Sequence, residues 1–153
     1  MNNAILTDDY RDAIRYHNHN DLRITIIILL LVFIYFIFYS NKHWIECILG
    51  FMLLLTFIAS QIFWANPIQH SFFHKLDAVI AKITIAMFIL YTLFYKDLPH
   101  YILILYLFII LCLVCCFYYS NYYSSCEWCC DNHLFYHKLV HIFGGFGAFY
   151  AFV

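Results

Sequence analysis

Charge is what this chain has least of. Only 11% of its 153 residues are Asp, Glu, Lys or Arg, nine acidic against eight basic, for a formal net charge of -1. That balance leaves no clustered basic surface, so no nucleic-acid partner is expected. The sequence also lacks a phosphate-cradling glycine loop, a nucleophile elbow and a dinucleotide fingerprint. It shows no inter-domain linker, no internal repeat and no low-complexity tract. The inverted repeats and paired broken helices that would support a transporter are not found. A polar segment over residues 1–21 precedes the first apolar run, and no small-residue cleavage site follows that run. The run therefore reads as a retained anchor rather than a cleaved signal peptide.

What the chain has instead is apolar bulk: 65% of residues are hydrophobic and 22% are aromatic. This is the composition of a membrane protein. Five stretches approach the roughly 20 apolar residues that a spanning helix needs. They cover Leu22 to Tyr39, Trp44 to Trp64, Leu76 to Tyr95, Tyr101 to Tyr119 and His133 to Val153. The runs are continuous rather than alternating, which favours helices over strands. The expected fold is an all-α bundle of about five transmembrane helices, with residues 22–153 as one domain and membrane lipid as its partner. Tyr and Trp at the segment ends fit an interfacial belt.

Loop charge sets the expected orientation. Arg11, Arg15, Arg23 and Lys75 share the N-terminal side, against Lys42 and Lys96 on the other, which favours a cytoplasmic N-terminus. Alternate helices reverse direction, so the end of the second, the start of the third and the start of the fifth meet at one membrane face. Ser60, Asp77, and the ladder His133, His137 and His141 all fall there. The joining segments add His70, His74, Cys126, Glu127, Cys129, Cys130 and Asp131. Ionisable groups at membrane depth are costly and mark functional sites. Lys82 and Lys138 lie near helix starts and can snorkel. Glu46, early in the second helix, belongs to the opposite face and reads as interfacial.

A four-residue spacing puts the ladder on one helical face, where imidazoles can converge on a metal. Ser60, the sequence His74-Lys-Leu-Asp77 and a His-x-x-x-His opening the last helix resemble the CREST superfamily of membrane hydrolases. That superfamily includes alkaline ceramidases, GPI-anchor lipid-remodelling proteins, and the progestin and adiponectin receptors. The run from His137 through His141 to Gly144, Gly145 and Gly147 is most similar to the final ceramidase helix; Lys75-Leu76-Asp77-Ala78 is most similar to the GPI-remodelling branch. The resemblance covers about Ser60 to Tyr150 through scattered residues. It implies zinc held by three histidines, with Ser60 and Asp77 beside it as catalytic residues, and hydrolysis of a lipid amide or ester.

Two departures accompany the resemblance. The family's Ser-x-x-x-His would put a ligand at position 64, which is Trp64, so the third histidine falls to His74 or His70. His74 lies three residues before Asp77, on a shared helical face. The chain also has five expected spans where the family has seven, and losing two between the Asp and His motifs preserves their relative orientation.

Plainer readings stand beside each of these. Asp77 would cap the third helix, Ser60 would back-bond within its own, and His133 would be interfacial behind an Asp131 or Asn132 cap. His17, His19, His43 and His100 lie in polar segments and read as solvated. Cys126 and Cys129, followed by His133 and His137, have the ligand types of a structural zinc site at tighter spacing than finger patterns show. Cys47, Cys112, Cys115 and Cys116 read as packing residues, and Gly144, Gly145 and Gly147 as a close helix-packing face. The leading functional expectation is a zinc-dependent lipid hydrolase. The alternative is a non-catalytic integral membrane protein whose metal site has decayed or is structural.

Overall fold

The structure is a computed structural model and describes residues 20–153; Arg11, Arg15, His17 and His19 lie outside the described residues. Five helices follow one another: α1 (Asn20–Tyr39), α2 (Trp44–Ala65), α3 (Phe72–Phe94), α4 (His100–Cys126) and α5 (Asp131–Phe152). Four of them, α1 to α4, are long and apolar enough to cross a membrane. The protein is an all-α, multi-pass integral membrane protein. Helices suit that solvent because they satisfy every backbone polar group internally. Large side chains such as Leu31, Phe51, Ile104 and Leu111 stand exposed on the outside of the bundle, where lipid would cover them.

Two helices depart from the lengths expected of them. α3 starts four residues earlier than its apolar run, because Ser71 caps it by accepting the His74 backbone N–H. α4 continues past Tyr119 to Cys126. Its 27 residues rise about 40 Å, more than the roughly 30 Å hydrocarbon core, so its polar last turns reach beyond that core or the helix tilts.

α5 is the least apolar helix by sequence and the most central by position. It packs along α4 and α1 and also touches α3. It runs parallel to α1: Lys138 pairs with Asp21 near their starts at 2.8 Å, and Tyr35 and Phe36 meet Phe149 and Phe152 near their ends. Gly145 makes that closeness possible, since a Cβ there would lie 2.9 Å from two carbons of Ile28. Consecutive α1 and α2 pack together, as do α2 and α3, whereas α3 and α4 pack only loosely. The Tyr106 hydroxyl bridges those two, donating to the Phe88 carbonyl at 3.4 Å.

At the membrane face away from the histidine ladder, Glu46 is buried within the bundle. Its carboxylate accepts from the Ser40 hydroxyl at 2.5 Å, the Tyr91 hydroxyl at 3.0 Å and the Lys96 ammonium at 3.5 Å. Lys96 also donates to the Ala151 carbonyl at the end of α5. One carboxylate thus ties together the α1–α2 turn, α2 and α3, and through Lys96 also α5.

Candidate functional site

The alternation of helix directions brings the end of α2, the start of α3 and the start of α5 to one level. Ser60 and Asp77 are both buried there, and the Ser60 hydroxyl donates to Asp77 Oδ1. Neither plainer reading of this pair describes it: Ser71 caps α3, and Ser60 bonds across helices rather than within its own.

The three ladder rings follow one another up α5, with centroids 5.7 Å apart for His133 and His137 and 4.9 Å for His137 and His141. Their hydrogen bonds make them unequal. Thr25 donates its single hydroxyl proton to the Leu22 carbonyl at 2.8 Å, so at 3.2 Å from His141 Nδ1 its oxygen accepts. His141 then carries its proton on Nδ1 and leaves the Nε2 lone pair free. His133 is the reverse, because its Nδ1 accepts the Cys129 backbone N–H at 3.2 Å and its proton sits on Nε2. His74 repeats that pattern by accepting the His70 N–H at 3.0 Å. His137 Nδ1 lies 3.0 Å from the Ser120 hydroxyl.

Ser60, Asp77, His74, His133, His137 and His141 all line one cavity of about 130 Å³. Trp128 closes it on the loop side, where its indole N–H donates to the Pro67 carbonyl. Its opposite end is apolar, formed by residues such as Leu53, Phe88 and Leu113. Between α3 and α4 the cavity has an exposed rim, marked by Lys82 on one helix and Asn121 on the other.

Other candidates stay outside. His70 is exposed in a left-handed turn with φ 60°, and Cys126 is exposed at the end of α4. Cys129 is buried and Cys130 caps α5 by accepting the His133 N–H, so that cap is neither Asp131 nor Asn132. Burial pushes the Cys129 thiol up to about 12. All seven cysteines are free.

A catalytic zinc keeps three protein ligands. Among the described residues no group of three His, Cys, Asp or Glu is placed to hold a metal ion. As placed, His74 and His133 also present Nε2–H rather than a lone pair, and Trp64 lies against His137 with ring centroids 4.9 Å apart. The side chains as placed do not fit the three-histidine centre that the family resemblance implies.

Several lining residues had no clear signal in sequence. Ser120, Asn121 and Ser124 belong to the polar turns of α4 beyond its apolar run; Thr25, outside the lining, reaches His141 from α1. Trp64 reads from sequence only as an absent ligand. In the structure it is fully buried, lines the cavity, and its Nε1–H has no hydrogen-bond partner. No family model, no curated protein and no solved structure matches this chain.

Proposed function

We propose that this membrane protein takes the polar end of a bilayer lipid into the cavity between α3 and α4. The observation that carries the reading is the cavity itself, a Ser, Asp and His cluster buried at membrane depth and reached between two loosely packed helices. Such clusters are costly at membrane depth and mark functional sites. The lateral gap suits a ligand whose chains stay in the bilayer. Lipids brominated near the headgroup supply the test, because bromine quenches nearby tryptophan, and Trp64 and Trp128 both line the cavity. Ala81→Phe, which fills the cavity from α3, should remove most of that quenching. Quenching unchanged by Ala81→Phe would overturn the reading.

A second reading is favoured by one specific observation, the Ser60–Asp77 hydrogen bond sharing a cavity with His137 and His141. It is the zinc-dependent hydrolysis of a lipid amide or ester that the family resemblance implies. Metal analysis of purified protein tests it. About one zinc per chain, lost in His137→Ala/His141→Ala, supports it; a folded, metal-free protein sinks it. Zinc retained in that variant but lost in Cys129→Ser/Cys130→Ser assigns the metal to the cysteines. In both readings the site lies at the face of the α1 start, the side that the loop-charge bias favours as cytoplasmic.

A further inference from the structure

The polar end of the cavity is rich in donors. Trp64 Nε1–H is fully buried without a partner, and His74 and His133 line the same cavity with their protons on Nε2. Lys82 adds the only Lys or Arg among the lining residues. It stands ten residues into α3, about 15 Å along the helix axis, at a depth where an ammonium is expensive. Helical side chains lean toward the N-terminus, which directs Lys82 toward the level of Asp77 and His74. No carboxylate forms a salt bridge with Lys82 among the described residues. Asp77 is the one acidic residue in the lining, and it already accepts from Ser60.

We infer that the cavity holds a phosphodiester, the headgroup linkage of an anionic phospholipid, with Trp64 Nε1–H, the two Nε2–H groups and the Lys82 ammonium donating to its oxygens. This rests on the lipid reading above and names the chemistry of the group bound. A phosphodiester carries one negative charge, matching one lysine, and offers several acceptor oxygens to several donors. The size agrees, since an engineered cavity of about 150 Å³ holds benzene, so about 130 Å³ suits a headgroup rather than a whole acyl chain. The chains would leave through the gap between α3 and α4. Where a zinc-binding histidine would present a lone pair at position 64, Trp64 presents a proton, which suits an anionic acceptor and not a cation.

The test uses the full chain in non-ionic detergent, following tryptophan fluorescence as short-chain phosphatidylglycerol or the matching diacylglycerol, which lacks the phosphate, is added. The phosphatidylglycerol should bind about tenfold more tightly, as expected for hydrogen bonds to a charged group. Lys82→Met, at an exposed position, should reduce that preference to about twofold or less while the protein stays folded. Trp64→Phe should likewise lower the preference for phosphatidylglycerol over diacylglycerol. Equal binding of the two lipids in the native protein would overturn the phosphodiester assignment and leave the lipid reading standing. Binding of neither would overturn both. Inorganic phosphate binding as tightly as the lipid would assign the site to free phosphate and overturn its assignment to a phospholipid.

Discussion

Replacing Glu46 by Gln should cost this protein about 2 to 4 kcal/mol of stability, although Glu46 lies at the face opposite the histidine ladder of α5. Glutamine keeps the shape but loses the charge, and its amide places a donor where the carboxylate accepted from Ser40, Tyr91 and Lys96. A hydrogen bond to a charged group contributes about 1.5 to 3 kcal/mol. The Lys96 contact is long at 3.5 Å and counts for little, so the Ser40 and Tyr91 bonds supply roughly 3 to 6 kcal/mol. Relief of the buried carboxylate's desolvation offsets part of that loss. Unfolding in mixed micelles, titrated with SDS and followed by far-UV circular dichroism, measures the difference. Tyr91→Phe alone should cost about 1.5 kcal/mol. Because both changes act on one carboxylate, the double variant should fall short of the sum by about 1 kcal/mol. A Glu46→Gln protein within about 0.5 kcal/mol of the parent, or full additivity with Tyr91→Phe, would refute the view that this carboxylate clasps the helices.

Gly145→Ala should destabilise by about 1 to 3 kcal/mol, since its Cβ would lie 2.9 Å from carbons of the stiff, β-branched Ile28. Ile28→Ala should restore most of that loss, and an unchanged midpoint for Gly145→Ala would count against the α1–α5 contact. Among the loop cysteines, Cys126 should react with a maleimide at pH 8 while Cys129 should not. The Cys129 thiol is buried and pushed up to about 12, which leaves about one part in ten thousand as thiolate at that pH. Mass spectrometry of the labelled protein reads this directly, and prompt labelling of Cys129 in the folded state would contradict its burial. A membrane-impermeant maleimide applied to intact cells should spare Cys126 if the α1 start is cytoplasmic.

Much of the layout was legible because two simple periodicities decide it. Continuous apolar runs specified helices, and the alternation of helix direction placed Ser60, Asp77 and the histidine ladder at one level before any contact was known. The ends of elements were harder to read. The fourth run stops being apolar at Tyr119, yet α4 continues to Cys126, because packing on α5 rather than hydropathy sustains its polar turns. Glu46 sits near a helix start and so reads as interfacial; Ser40, Tyr91 and Lys96 close over it from three other parts of the chain.

By itself the sequence determined the solvent, the helical class and the membrane face on which the chemistry collects, because these follow from composition and from local period. Tertiary structure alone decided what that chemistry can be. Thr25, the Cys129 N–H and the His70 N–H are distant in sequence or belong to the backbone, and they assign the protons of His141, His133 and His74. The loose packing of α3 on α4 opens a cavity that neither helix encodes alone. Trp64, an absent ligand in the sequence, becomes in three dimensions a buried donor without a partner, since only packing decides which polar atoms find one.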